Sequence, residues 1–214
     1  MKPIGILGGT FDPVHYGHMR PAQEVLRALD LAEVRIIPAA HPPHRRPPLA
    51  TVDQRLRMVE LAVAEFPGLR VDDREIRRGG PSYTVLTLES LREEFSERPL
   101  CLLLGLDAFD GIGTWHQWQR LPELAHFIVM TRPGWNIPAG VTLPSWARGR
   151  LARTAGDLAQ ASAGRIYFQT VTPQDISATH IRESIARGEA VDGLLPPAVL
   201  DYLRANRIYL NREN

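Results

Sequence analysis

Lysine is almost missing from this sequence. It occurs only at Lys2, so nearly all of the positive charge is arginine, a bias that a G- and C-rich genome produces with no functional cause. An excess of either sign is missing too: 25 Lys and Arg against 24 Asp and Glu leave a net charge of +1 over 214 residues. Bulk binding to nucleic acid or anionic membrane normally needs a large basic excess, and this balance argues against both. Cysteine is down to Cys101, inside the apolar run Leu100–Leu104. A lone thiol makes no intrachain disulfide, and here it reads as a small hydrophobe in a reducing compartment. No apolar run approaches the roughly 18 residues that cross a bilayer. The apolar start Met1–Leu7 is too short for a secretory signal, so the expected location is cytoplasmic. What the chain does have is core: 44% of residues are hydrophobic, enough for one sizeable domain.

Ile4–Leu7 reads as a short buried strand stopped by Gly8-Gly9. Met19, Ala22, Val25, Leu26 and Leu29 recur at helical spacing and predict a helix from about His18 to Leu29. Val34–Pro38 is a second strand, and the prolines of His41–Pro48 exclude regular structure after it. Thr51 and Gln54 have capping-box spacing ahead of a helix to about Glu65. Further strands are expected at Leu69–Val71, Leu100–Gly105, Phe127–Thr131 and Ile166–Gln169, with a helix over Thr84–Phe95. Two short helices, near Ala178–Arg187 and Pro197–Asn206, close the chain. The Arg70–Arg78 charges read as a solvated face. Pro133–Gly164 is the least legible stretch, with a helix expected near Ala147–Leu158.

Strands alternating with helices predict an α/β fold: a doubly wound, Rossmann-like parallel sheet covered on both faces. The expected organisation is a single domain over 1–214, with 171–214 as a small C-terminal helical subdomain. Ligands of such sheets bind beyond the carboxyl ends of the strands, where the strand order reverses. If the first and fourth strands meet there, the loops Gly8–His18 and Gly105–Asp107 face one crevice.

Two segments carry chemistry. In Gly8-Gly-Thr-Phe-Asp-Pro-Val-His-Tyr-Gly-His18, glycines after a strand let backbone N–H groups approach a phosphate, and a helix start adds partial positive charge. His15 and His18, three residues apart at that helix mouth, can point at one anion, and Gly17 leaves room for it against the backbone. On its own the pair is equally well read as a capping histidine and a surface histidine. Zinc ligation would need a third ligand, and no Glu or Cys lies nearby in sequence. In Ile176-Ser-Ala-Thr-His-Ile-Arg182, Ser177 and Thr179 offer hydroxyls at a helix start and Arg182 a charged fork one turn later. Taken alone, that segment is a Ser N-cap with a surface Arg; paired with the first, it is the other half of a polyphosphate site.

The first segment resembles the G-G-T-F-D-P-x-H-x-G-H hallmark of the HxGH nucleotidyltransferases, and the second their I-S-[SA]-T-x-I-R element. Within that superfamily nearly the full chain is similar to the bacterial nicotinate mononucleotide adenylyltransferases. Pro42-Pro-His-Arg45 resembles their P-P-H-[KR] loop, and Ser82-Tyr-Thr84 with Thr87-Leu88 their S-Y-T-x-x-T-L segment. Gly105-Leu-Asp107 with Trp115 and Trp118 resembles G-x-D…W-x-x-W, and Arg132-Pro-Gly their R-P-G turn.

The resemblance implies transfer of the adenylyl group of ATP to nicotinate mononucleotide, with Mg²⁺ brought on the ATP and no dedicated metal site. It implies catalytic roles for His15, His18 and Arg182. ATP would be bound by Gly8, Gly9, Thr10, Phe11, Gly105, Asp107, Ile176, Ser177 and Thr179. The acceptor would be bound by His44, Arg45, Tyr83, Thr84, Trp115 and Arg132. The partners are then small nucleotides, without nucleic acid or membrane, and a homo-oligomer stays open. The glycine-rich Asp110–Gly113 departs from the pattern and leaves the reach of Trp115 open. The rivals are a sibling phosphopantetheine adenylyltransferase or cytidylyltransferase, and a nucleotide sensor that has lost turnover.

Overall fold

The computed structural model describes residues 1–43, 47–135 and 145–210. Within them a parallel sheet runs in the order β3-β2-β1-β4-β5-β6. The strands are β1 (Ile4–Gly9), β2 (Glu33–Pro38), β3 (Leu69–Val71), β4 (Leu100–Gly105), β5 (His126–Thr131) and β6 (Ile166–Thr170). The helices are α1 (Tyr16–Ala28), α2 (Val52–Val63), α3 (Arg74–Arg78), α4 (Thr84–Glu94), α5 (Leu106–Asp110), α6 (Leu121–Leu124), α7 (Ala178–Ala186) and α8 (Pro197–Ala205). The expected doubly wound sheet is present, and α2 begins on the expected capping box, Thr51 Oγ1 accepting from the Gln54 N–H at 3.2 Å.

β4 shows why its sequence is apolar without alternation. Leu100, Leu102 and Leu104 join Val85, Leu88 and Leu91 of α4 in the core on one face. Cys101 and Leu103 point the other way, into the core built by Met19 and Val25 of α1, Met58 and Val59 of α2, Ile181 of α7 and Leu203 of α8. A strand covered on both faces buries both sets of side chains. Helices α7 and α8 thus share a core with α1 and α2.

The strand order reverses between β1 and β4. They pair only from Ile4–Leu100 to Ile6–Leu102, whereas β1 follows β2 out to Gly9 and β4 follows β5 out to Gly105. The two neighbours part company at their carboxyl ends, which is where a doubly wound sheet opens its binding crevice.

Two expectations fail. The helix near Ala147–Leu158 is absent; short 3₁₀ turns stand at Ser145–Ala147 and Ala155–Ala159. Gly149 takes φ +76°, and the chain after it runs extended beside β6: Ile166 N–H donates to Arg150 O and Ala152 N–H to Ile166 O, both at 2.9 Å. Bonds to a strand have won over local helix. The Arg70–Arg78 cluster is also no simple solvated face. Asp72 is 4% exposed and receives Arg35 Nη1 at 3.1 Å and Arg74 Nε at 2.9 Å. Burial works to raise the Asp72 carboxyl, but the Arg74 and Arg35 hydrogen bonds outweigh it and hold it below the ordinary range. Arg74 carries on to Glu94 at 2.6 Å and Arg35 to Glu33 at 2.8 Å.

Removing one partner of a buried pair leaves charge uncompensated, at a cost of roughly 3–5 kcal/mol. Because both arginines keep a glutamate, Asp72→Ala is expected near the lower end, about 3 kcal/mol in urea unfolding. A loss below about 1 kcal/mol would place the cluster with ordinary surface pairs.

Candidate functional site

The site starts where β1 ends. Gly8 and Gly105 are both exposed at the parting strand ends, and no heavy atom lies within 4 Å of where a Cβ would stand on either. Open backbone there is what a phosphate can approach. Gly9 serves packing: a Cβ would fall 2.8 Å from the ring of Phe11, which folds back at φ +52°. Phe11 in turn meets His18 edge-on, with ring centroids 5.1 Å apart. The Thr10 carbonyl accepts from Arg55 Nη1 at 2.8 Å.

His15 is the N-cap residue of α1, 5% exposed. Its ring lies against that of His18 at 3.8 Å and 32°, so the structure does bring the two imidazoles together. The His15 N–H donates to His18 Nδ1 at 3.3 Å, which puts the proton of a neutral His18 on Nε2. Burial pushes His15 down to about 4, and its Nδ1 is buried without a partner. The space beside Gly17 is not open to an anion as expected. A Cβ there would meet His15 Nδ1 at 2.8 Å and Ile176 O at 3.3 Å, so Gly17 admits the imidazole and the second segment's backbone instead.

That second segment lies directly against the first. Arg182 Nη1 donates to the Asp12 carbonyl at 2.6 Å, across 170 residues of chain, and Nη2 to Thr179 Oγ1 at 3.3 Å. Arg20 of α1 reaches Gln174 at 3.2 Å, and Glu24 takes the Thr172 N–H at 2.7 Å. Ser177 does cap α7, its Oγ accepting from the His180 N–H at 3.1 Å; its own hydroxyl proton is not consumed by that bond. Thr179 and Arg182 also line a cleft of about 560 Å³ with Leu49, Gln54, Arg207 and Tyr209.

Asp12 of the first motif, to which the sequence pattern assigns no role, is the junction between the segments. Its carboxylate accepts the Leu49 N–H at 2.9 Å, the Ala50 N–H at 3.0 Å and the Tyr209 hydroxyl at 2.6 Å, while its carbonyl takes Arg182. Burial and the bond to Asp12 both raise the Tyr209 hydroxyl. Arg55, 1% exposed, bridges Thr10 O and Ala40 O. Nothing in the local sequence marks Arg55 or Tyr209, because their partners lie far along the chain.

Those of the remaining expected residues that the structure describes stand on loops and helix starts around the same end of the sheet. Tyr83 precedes α4, Thr84 begins it, and the Tyr83 ring stacks on His116 at 4.2 Å, which brings the Ser82–Thr84 segment to the neighbour of Trp115. Trp115 is half-buried against the α4-side core, and Trp118 packs on Trp146 at 5.6 Å. Asp107 is exposed in the first turn of α5. Arg132 is exposed after β5 in a turn closed by Trp135 N–H to Arg132 O at 3.1 Å, with Gly134 at φ +79°. His44 and Arg45 lie outside the described residues. Among those described, no group of three or more His, Cys, Asp or Glu is placed to hold a metal ion.

The cytidylyltransferase-like family profile matches residues 6–184, a span that contains both histidines and Arg182. The chain is 46% identical over 207 residues to an Aeromonas hydrophila protein, covering 97% of each. It is 50% identical over 199 residues to one from Halorhodospira halophila, covering 93% of this chain and 91% of that one. Both bear the name "Probable nicotinate-nucleotide adenylyltransferase". In fold it is similar to Plasmodium falciparum nicotinic acid mononucleotide adenylyltransferase complexed with NaAD, at TM-score 0.72 and 16% identity over 98% of each chain.

The burial of His15 has a measurable consequence. Its folded pKa is depressed, so between about pH 6.5 and 4 the unfolded chain binds a proton that the folded chain refuses. The stability tied to neutral His15 is full above that window and lost as pH falls through it. By pH 5 the loss is on the order of 2 kcal/mol. Urea unfolding of His15→Asn at pH 7.5 and pH 5 is expected to show a smaller acid loss than the wild type. Equal losses would mean that His15 titrates normally.

Proposed function

The chain belongs to the cytidylyltransferase-like family and, within it, to the nicotinate-nucleotide adenylyltransferases, and from that premise we propose how it transfers the adenylyl group of ATP to nicotinate mononucleotide, giving nicotinate adenine dinucleotide and pyrophosphate. The observation that carries the site assignment is the Arg182–Asp12 bond, which holds the late guanidinium beside the loop that leads into His15 and His18.

A phosphate oxygen of the acceptor attacks the α-phosphorus of ATP in line. The new P–O bond forms as the bond to the β-phosphate oxygen breaks, and pyrophosphate leaves with that electron pair. No side-chain nucleophile is needed. Cys101 is fully buried in β4, with its thiol pushed up to about 12 by burial. Rate acceleration is then positioning and stabilisation of charge growing on phosphate oxygens. His18 donates from Nε2, and His15, neutral and stacked on it, fixes its plane and adds a second donor. Arg182, Ser177 and Thr179 hold the departing pyrophosphate, with Gly8, Gly9, Thr10, Phe11 and the Ile176 backbone shaping the triphosphate channel. Gly105 lets the nucleotide lie across the strand ends, and Asp107 takes a ribose hydroxyl.

The fit to Mg²⁺ is one-sided. The Asp12 carboxylate is taken by two backbone N–H groups and a phenol, and no cluster of ligands stands near it among the described residues. The ion comes with the triphosphate, and when bound it neutralises phosphate charge. On the acceptor side, Trp115 stacks on the pyridine ring and Tyr83, Thr84 and nearby backbone N–H groups face the nicotinate carboxylate. Arg132, Arg45 and His44 serve the acceptor's anionic groups.

Pyrophosphate release is expected only when ATP and the mononucleotide are both present. The acid should be favoured over the amide by about 1–3 kcal/mol in kcat/KM, because the amide leaves donors mismatched. Binding without release would favour a sensor, and release with another acceptor a sibling transferase. His18→Ala and His15→Ala are expected to lower kcat by roughly 10²–10³ with little change in ATP affinity. Arg182→Lys should also impair turnover, since a point charge does not replace a fork. Near-wild-type kcat in both histidine variants would remove the imidazoles from the mechanism.

A further inference from the structure

We propose that Tyr209 is a positioning residue for the phosphate site: its hydroxyl keeps the Asp12 carboxylate off Arg182. The guanidinium charge is then left for the departing pyrophosphate, and the proposal rests on that role of Arg182. Tyr209 follows α8 in a sharp turn of the chain, with Arg207 at φ +51° and Tyr209 itself at φ +67°. Left-handed backbone costs a non-glycine residue energy and persists only where the surroundings hold it. Two contacts hold it here. Ile208 is 6% exposed in the core shared by α1, α2, α7 and α8, and its N–H donates to Leu203 O at 3.0 Å. The Tyr209 ring packs against the same core, and its hydroxyl donates to Asp12 Oδ1 at 2.6 Å, across 197 residues of chain.

The two carboxylate oxygens of Asp12 are unequally occupied. Oδ1 accepts the Tyr209 hydroxyl and the Ala50 N–H, the latter at 3.0 Å. Oδ2 accepts the Leu49 N–H at 2.9 Å and stands 4.0 Å from Arg182 Nη1. A carboxylate offers about four acceptor positions, so one is left, on the oxygen that Arg182 approaches. The short O–H···O⁻ bond to Oδ1 is the strongest of the three and fixes the plane of the group. Without it the carboxylate keeps two backbone donors and turns toward the charged one beside it. Attraction grows as the charges close, and an Arg182 paired with Asp12 has less to offer a phosphate. The loop's other buried cation does not replace it, because Arg55 is held by Thr10 O at 2.8 Å and Ala40 O at 3.1 Å. Tyr209 acts through Asp12 and is assigned no contact with substrate.

The test is steady-state kinetics with ATP and nicotinate mononucleotide, together with inhibition by inorganic pyrophosphate. It compares the wild type with Tyr209→Phe, Leu203→Val and the double variant Asp12→Asn/Tyr209→Phe. Tyr209→Phe keeps the ring in the core and removes only the hydroxyl. It is expected to raise the pyrophosphate inhibition constant and the ATP KM roughly tenfold each, while the acceptor KM stays within about twofold. Asp12→Asn keeps an acceptor for the backbone donors but carries no charge to capture Arg182. The double variant should therefore bind pyrophosphate about threefold or more better than Tyr209→Phe alone. Loosened packing does not give a second lesion that repairs the first. Leu203→Val thins the packing of α8 without altering the bonds of Asp12, and should leave the pyrophosphate constant within about twofold. Pyrophosphate, ATP and acceptor constants rising together, Leu203→Val matching Tyr209→Phe, or a double variant no better than Tyr209→Phe overturns the proposal. Should the double variant not fold, Tyr209→Phe against Leu203→Val decides. A wild type without turnover overturns the function and this inference together; turnover with an unmoved pyrophosphate constant in Tyr209→Phe overturns this inference alone.

Discussion

The Arg182 guanidinium and the Asp12 carbonyl lie 2.6 Å apart although 170 residues separate them in the chain, and the proposed site depends on their meeting. Arginine suits the position because it has more donors than one contact can use. Nη1 is spent on Asp12 and Nη2 leans on Thr179, which orients the fork without cancelling its charge. A carbonyl takes the proton but brings no full negative charge, and the Asp12 carboxylate stays 4.0 Å away, engaged with Leu49, Ala50 and Tyr209. A closer carboxylate would compete with phosphate for the same cation; a carbonyl aims it.

The sheet provides the rest of the geometry. Because β1 leaves β4 after Ile6 to stay with β2, the two strand ends open around Gly8 and Gly105. The N-terminus of α1 then delivers His15 and His18 to one lip. α7, packed into the same core as α1 and α2, carries Arg182 to the adjoining position. Desolvation of His15 is the electrostatic counterpart of that packing: the imidazole is kept neutral, and its stack on His18 orients the more exposed ring.

Much of this was legible because it is local. Strand runs, the Thr51–Gln54 cap and both phosphate segments depend on residues within a few positions of one another. The failures share the opposite property. Asp72 and Glu75 look like surface carboxylates until β2 brings Arg35 against the first and α4 brings Thr87 against the second. The helix expected near Ala147–Leu158 lost to backbone bonds from a strand that follows it. Arg55 and Tyr209 have nothing around them in sequence to mark a role. The room attributed to an anion at Gly17 was misjudged because a neighbouring side chain, His15, fills it. Local pattern named the residues of the proposed phosphate site, and tertiary contacts decided which of them touch.

The most direct measurement is a crystal structure of the protein with a non-hydrolysable ATP analogue that has a methylene group in place of the oxygen bridging the α- and β-phosphorus atoms. The account predicts a triphosphate bridging the two segments, with phosphate oxygens within hydrogen-bond distance of both the His18 Nε2 and the Arg182 guanidinium. A triphosphate that touches only one of them, or that sits away from the β1–β4 opening, would contradict it.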